Sequence, residues 1–468
     1  MFKPQSKAYV PRSFQEKGIV IGVSQACAGL FLAPGLGKTT IIYSIFKILQ
    51  DAGFIQRMLV ICPLKPAMNV WPRQKDTWNE FKDLRVKVLH GKFKEDVLKA
   101  DDYDIGVVNP EGLVWLFGAD SKNQPDPKRL KYVTEKFPML YVDESHKFKD
   151  TSTNRFKLMR KVVPKFKRRY IGTGTLNPEG LENVFGQVFI LDEGAALGQY
   201  ITRFRAQYFH QKPWDKYSYF PNVGAFEQVA EKIAPYCLVV GRDQIPDLPP
   251  VVFDDRFIEL PADAQRAYDQ AERDLLIAIE QGAIVAANAA VASSKCRQIC
   301  NGFVYDANKV AHPLHREKLD NLVELIDELN GEPLIVTYEF EHDRDALLAE
   351  LKCPNISTGN AKKDDETIQR FRRGAYPVVI GSTASISLGI DGLQDVCGHM
   401  FMYGITWKLS DYIQVIDRIR RQGSSHTSIV IHRCLARGTV DERVVSKLDA
   451  NEGEMIDFME VLKSLRTQ

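Results

Sequence analysis

Short β-branched runs alternate with helical patterns along both halves of this chain, and that alternation limits the fold more than any other feature. Parallel strands need a long crossover between them, usually a helix, and are buried on both faces, so they read as near-continuous apolar runs. Residues 58–62, 104–108, 139–142 and 170–172 read that way in the first half. The second half repeats the pattern at 334–338, 378–381, 399–403 and 428–432. This predicts an α/β protein with two parallel-sheet domains in tandem, the apparent repeat being the domain itself. A length of 468 residues, too great for one ordinary core, agrees.

Between the halves, Gln244-Ile245-Pro246-Asp247-Leu248-Pro249-Pro250 can continue neither a helix nor a central strand. It predicts a linker over 244–261, between a first domain at 1–243 and a second at 262–468. Residues 180–236, rich in aromatics and glycine, predict an insertion of helices and loops on the first domain. An alanine-rich block from Ala262 to Cys300 predicts a helical insertion on the second, reaching to about residue 315.

With 44% hydrophobic and 26% charged residues, the composition is that of a globular protein. No stretch reaches the ~18–20 apolar residues of a membrane span. The start, Met1-Phe2-Lys3-Pro4-Gln5, lacks a secretory pattern, so a cytoplasmic location and no membrane partner are expected. Eight scattered cysteines include Cys296 and Cys300, which no second pair complements at zinc-ligand spacing. Reduced structural thiols are expected. The net charge of +2 selects no partner, and the basic cluster Lys161, Lys165, Lys167, Arg168 and Arg169 reads first as a solvated face.

Chemistry concentrates at two motifs of the first half. Leu32-Ala33-Pro34-Gly35-Leu36-Gly37-Lys38-Thr39 runs into the apolar-periodic stretch from Thr40. Glycines at such a turn let backbone N–H groups wrap phosphates at the positive end of the following helix. Pro34, Gly35, Leu36, Gly37, Lys38, Thr39 and Thr40 are therefore candidate nucleotide-binding residues, Lys38 for the β- and γ-phosphates and Thr39 for Mg²⁺. Leu32 stands where the older form of the motif has glycine. Downstream, Met139-Leu140-Tyr141-Val142 leads into Asp143-Glu144-Ser145-His146. Asp143 at a strand tip can hold Mg²⁺, and Glu144 beside it can orient and deprotonate the attacking water. Together these motifs predict an ATP hydrolase.

On these residues the chain resembles the superfamily-two helicases, and among them the Swi/Snf-type double-stranded DNA translocases. Asp143-Glu144-Ser145-His146 is similar to the DEAD/DEAH box. Arg12-Ser13-Phe14-Gln15 resembles the segment whose glutamine reads adenine, here Gln15. Val60-Ile61-Cys62-Pro63, followed by Trp71 and Trp78, resembles the motif that contacts the tracking strand. Thr173-Gly174-Thr175 matches the family's coupling motif, with Leu176 in place of proline. In the second half, the stretch from Ser382 through Ser385, Ser387 and Gly389 to Asp391 resembles a motif touching ATP and DNA, although Ser385 and Ser387 stand where relatives favour glycine. Trp407 keeps its offset to Gln414, with Lys408-Leu409 replacing Asn-Pro. Gln414-Val415-Ile416-Asp417-Arg418-Ile419-Arg420-Arg421 is close to the arginine-finger motif, and Cys296-Arg297-Gln298-Ile299-Cys300-Asn301 resembles the segment after the second domain's helical insertion.

The resemblance implies two RecA-like domains, with ATP hydrolysed in the cleft between them and Arg418 and Arg421 facing the γ-phosphate. It implies a sequence-indifferent partner, duplex DNA first, and a monomeric or loosely associated motor of bacterial or bacteriophage origin. A strand-separating or fork-remodelling helicase of the same superfamily is the alternative. A degenerate nucleotide-sensing scaffold and a small-molecule kinase fit the complete set of motifs less well.

Overall fold

The computed structural model describes residues 7–465 except 214, 243–244, 246–247, 281–285, 307, 388–391 and 422–423. The chain divides into two compact units, Met1–Gln244 with Asn451–Gln468, and Ile245–Ala450.

The first unit is built on a seven-stranded sheet. Its strands are β1 (Cys27–Leu32), β2 (Met58–Ile61), β3 (Val86–Val88), β4 (Ile105–Val108), β5 (Met139–Asp143), β6 (Arg168–Thr173) and β9 (Cys237–Val240), in the order β3-β4-β2-β5-β6-β1-β9. Every pairing in it is parallel. The central strands are buried along their length, as a sheet covered on both faces requires. Strand β1 was not anticipated. Cys27-Ala28-Gly29 lacks the β-branched residues that mark a strand, and pairing on both sides, to β6 and β9, imposes the extended form.

The insertion expected as helices and loops holds the helices Asn183–Asp192, Ile201–Tyr208 and Ala225–Ile233. It also holds an antiparallel hairpin of β7 (Phe209–Lys212) and β8 (Asp215–Pro221). The last stretch of chain groups with this unit too. Phe458 and Leu462 are fully buried in its core, Phe458 lies edge-on to Phe226 at 5.7 Å, and Glu452 pairs with Arg242 at 3.0 Å.

Much of the basic cluster is internal bracing. Arg168 donates to the carbonyls of Gly22, Val23 and Gln25 behind the helix Ser13–Ser24, and Arg169 to those of Leu191 and Phe166. Lys161 donates to the Lys122 and Asn123 carbonyls.

The second unit carries a five-stranded parallel sheet of β10 (Val251–Ile258), β13 (Leu334–Tyr338), β14 (Val378–Ser382), β15 (His399–Met402) and β16 (Ile429–Ala436), in the order β10-β16-β15-β13-β14. A small hairpin, β11 (Phe303–Tyr305) with β12 (Ala311–Pro313), stands apart. Strand β10 corrects the linker reading of 244–261. It pairs with β16 over eight residues as an edge strand, and its acids meet polar partners on the neighbour: Asp254 bonds His432 at 2.7 Å, and Asp255 bonds the Arg433 guanidinium at 2.5 and 2.8 Å. Pro246, Pro249 and Pro250 made the segment read as connector, but the strand begins just beyond them at Val251. The helical block is two helices, Ala262–Glu280 and Ala286–Cys300. All eight cysteines are free thiols, with Cys296 and Cys300 buried. Among the described residues no helix is long and apolar enough to cross a membrane.

Because Phe458 fills the first unit's core, Phe458→Ala should cost about 3–5 kcal/mol, the usual price of emptying a buried aromatic site. Thermal unfolding and limited proteolysis of the full chain should show the 1–244 region loosening. An unchanged melting profile would mean that the segment is not part of that core.

Candidate active site

Strand register assembles the site. In the parallel pairs, Asp143 of β5 lies opposite Gly172 of β6, and Thr173 of β6 lies opposite Phe31 of β1. The phosphate loop, the acidic box and the Thr-Gly-Thr motif therefore emerge side by side from the carboxyl ends of three adjacent strands. That edge is where open α/β sheets bind ligands.

The loop follows β1. Gly35 and Gly37 take φ of 84° and 77°, a region that side chains disfavour, and Gly37 caps the helix Lys38–Asp51. No side chain caps this helix, so the N–H groups of its first turn remain available to an anion. Lys38 Nζ donates to the Leu32 carbonyl at 2.9 Å, which folds it back over the loop. Thr39 is half-buried in the first turn. Thr40, also anticipated as a ligand, is buried, and its hydroxyl accepts from Gln74 Nε2 at 3.3 Å. Gln15 sits on the loop: its Nε2 donates to the Leu36 carbonyl at 3.1 Å, while its Oε1 accepts from Arg12 N at 2.9 Å and Tyr9 Oη at 3.3 Å.

At the tip of β5, two aromatic donors hold Asp143. Tyr141 Oη donates to Oδ1 at 3.2 Å and Trp71 Nε1 to Oδ2 at 3.4 Å. Trp71 is fully buried, its ring edge-on to Tyr43 at 5.3 Å. Grouped by resemblance with a strand-tracking motif, it here donates to a carboxylate of the acidic box. Pro63 of that motif is buried as the cap of the helix Leu64–Asn69, and Trp78 is half-buried against Tyr9.

The two carboxyls are pushed in opposite directions. Burial drives Asp143 up to about 6, with help from the charge of Glu144 and against the pull of Lys38. Burial would raise Glu144 as well, but the hydrogen bond and charge of His146, with Lys38 and Lys147, outweigh it and bring Glu144 down to about 2.

Glu144 is also tied to the coupling motif. Its Oε2 lies 3.2 Å from His146 Nδ1 and 3.4 Å from the Thr173 hydroxyl. His146 Nδ1 lies 3.2 Å from Thr173 Oγ1 and 3.4 Å from Thr175 Oγ1. Both threonines are fully buried. Gly174 approaches the phosphate loop so closely that a Cβ there would come 2.9 Å from Pro34 Cδ. Residues 143, 144, 146, 173, 174 and 175 thus form one cluster against the loop. Tyr141 and His146 received no role from sequence, although their positions beside the acidic pair were the available signal.

The second unit holds the remaining candidates. Arg418 donates through Nη2 to the Ser387 carbonyl, which joins the arginine motif to the serine-rich one, and Arg421 Nε donates to the Asp417 carbonyl at 3.1 Å. Gln414 is buried in the helix Leu409–Ile416, whereas Trp407 is 38% exposed. Gly389 and Asp391 lie outside the described residues. Arg297, unassigned from sequence, bonds Glu339 at 3.0 Å and the Ile405 carbonyl at 2.8 Å. Lys318 is fully buried, pairs with Asp441 at 2.7 Å and donates to Asn301 Oδ1 at 3.0 Å, pinning the end of the helix that carries Arg297.

Comparison with known proteins places this arrangement. The SNF2-related domain model matches residues 15–304, and the helicase conserved C-terminal domain model matches residues 317–423. Protein p41 of Acyrthosiphon pisum secondary endosymbiont phage 1 is 26% identical across 98% of this chain and 99% of its own length. An uncharacterized ATP-dependent helicase of Mycoplasma genitalium is 24% identical across 92% of this chain, which spans 40% of that longer protein. Among solved structures, the Sulfolobus solfataricus SWI2/SNF2 ATPase core in complex with dsDNA has a TM-score of 0.45 and 20% identity, covering 99% of this chain and 98% of that one. The Sulfolobus solfataricus SWI2/SNF2 ATPase core domain has a TM-score of 0.43 and 20% identity, covering 98% of this chain and 92% of that one. With the SNF2-related model matching well over half its length and the helicase C-terminal model following it, the chain belongs to the SNF2-related family of helicase-like, nucleic-acid-dependent ATPases.

Proposed function

We propose that this chain is an ATP-driven motor that translocates along duplex DNA. The observation that carries the chemistry is the cluster at the ends of β5, β6 and β1, where Asp143, Glu144, His146 and Thr173 meet beside an uncapped helix N-terminus bearing Lys38.

The donor set fits a magnesium nucleotide: glycine backbone, free N–H groups, an ammonium and a hydroxyl for phosphates, and a carboxylate for a hard cation. ATP with Mg²⁺ supplies the phosphoryl group and neutralises its developing charge. Lys38 and the N–H groups from Gly35 onward hold the phosphates, and Thr39 and Asp143 hold the metal. A bound cation would favour the charged form of Asp143 and offset its burial. Glu144, held ionised by His146, accepts the proton of the attacking water. Gln15, already at the loop through Leu36, is the proposed adenine reader. From the second unit, Arg418 and Arg421 are the proposed fork-shaped cations that stabilise charge on the transferred group. Thr173 touches Glu144, Gly174 touches the loop and Thr175 touches His146, which supports a role for the motif in relaying nucleotide state.

Grip on DNA would come mainly from phosphate contacts, which carry no sequence information and weaken steeply with salt. Trp407, partly exposed, is the proposed contact residue, while buried Gln414 and Pro63 would shape their segments rather than touch the strand.

Two outcomes follow. Glu144→Gln should keep ATP affinity within a few fold while steady-state phosphate release falls by ~10²-fold or more. Turnover near the parent rate would remove Glu144 from its role. ATPase activity should rise most with duplex DNA of any sequence, less with single strands or RNA, and the stimulation should fall steeply with salt. Stronger stimulation by forked or single-stranded DNA, measured side by side, would favour the strand-separating alternative.

A further inference from the structure

Glu144 occupies a backbone conformation that a glutamate rarely adopts. Its φ of 53° and ψ of 55° lie in the left-handed region, and such a residue persists only where its surroundings hold it. We propose that Gln187 is the positioning residue that holds Glu144 there, acting through Ser145. The proposal rests on the reading of Glu144 as the base for water.

Ser145 follows Glu144 directly and is fully buried. Its hydroxyl donates to Gln187 Oε1 at 2.7 Å. Gln187, in the helix Asn183–Asp192, is also fully buried. Its Nε2 donates to the carbonyls of Leu176 and Asn183, the latter at 3.0 Å. Both amide hydrogens are spent on main-chain carbonyls, so only the carbonyl end can face the hydroxyl. One side chain thereby ties the residue after Glu144 to the residue after Thr175.

A second observation shows the same helix seated on the same turn. A Cβ on Gly186 would lie 2.5 Å from the Phe148 carbonyl oxygen and 2.8 Å from that of Lys149. The helix therefore meets, at backbone distance, the turn Ser145–Phe148 that follows the box. Serine at the third position of the box gains a physical reason: its hydroxyl is the handle that Gln187 grips. Without that grip Glu144 could relax from its left-handed form, and its carboxylate would leave His146 and Thr173.

The test compares Ser145→Ala, Gln187→Met and the double variant with the parent and with Glu144→Gln. For each, kcat, KM and the dissociation constant of a fluorescent ATP analogue are measured, with melting temperature as the folding control. Each single variant should lose about tenfold in kcat with analogue affinity within twofold. The double variant should lose no more than the worse single, which is Gln187→Met: Ser145→Ala removes only the Ser145–Gln187 bond, and Gln187→Met already removes that bond along with those to Leu176 and Asn183. Additive losses, or parent-like kcat in folded Ser145→Ala, would overturn the proposal. Ser145→Ala removes the same bond with little change of volume, so the test stands even if Gln187→Met fails to fold. A dead Glu144→Gln beside a parent-like Ser145→Ala rejects only the positioning role. Near-normal turnover by Glu144→Gln rejects the base assignment itself.

Discussion

The in-register parallel pairing of β5, β6 and β1 is the constraint on which the site depends. Three motifs spread between residues 32 and 175 become neighbours because their strands end at one edge in fixed register. A slip of one residue would turn every following side chain to the other face of the sheet. Burial on both faces prevents it, since any alternative register would place polar groups among apolar ones.

That edge also concentrates polar groups where few can reach water. Asp143 is satisfied from below by Trp71 and Tyr141, Glu144 from the side by His146 and Thr173, and Ser145 from behind by Gln187. A buried network of this kind is held by its pairings, because each lost partner strands another, although the buried His146 Nε2 has no partner among the described residues. The left-handed backbone at Glu144 is the point where local preference yields to this surrounding lattice. The opposed shifts of Asp143 and Glu144 follow from their surroundings: burial raises both and Lys38 lowers both, but only Glu144 also has the His146 imidazole and Lys147 to hold it down.

Where local signals agreed with tertiary demands, the sequence was readable. The apolar runs at 58–62 and 139–142 announced buried parallel strands, and β2 and β5 fall on them. The glycine pattern at Gly35 and Gly37 announced a loop, and both residues take left-handed φ. Illegible segments carried composition that contradicts their final state. Strand β1 begins with Cys27-Ala28-Gly29, and β10 follows a proline-rich stretch and carries Asp254, Asp255 and Arg256, whose partners come from β16 and from the helix Glu317–Leu329. At Thr40, grouped with the phosphate loop from sequence, the hydroxyl accepts from Gln74.

By itself, then, the sequence determined the parallel α/β architecture, the phosphate loop, the acidic pair and the family, because each is written in short contiguous patterns tied to backbone periodicity or to a turn. Only the tertiary structure decided which side chains support those motifs. Trp71 beneath Asp143, His146 beside Glu144 and Gln187 behind Ser145 come from distant or unremarkable positions. A hydrogen bond between residues forty or seventy apart leaves no mark on local pattern. It depends on how helices settle against a sheet edge, and on the need of every buried donor and acceptor to find a partner there.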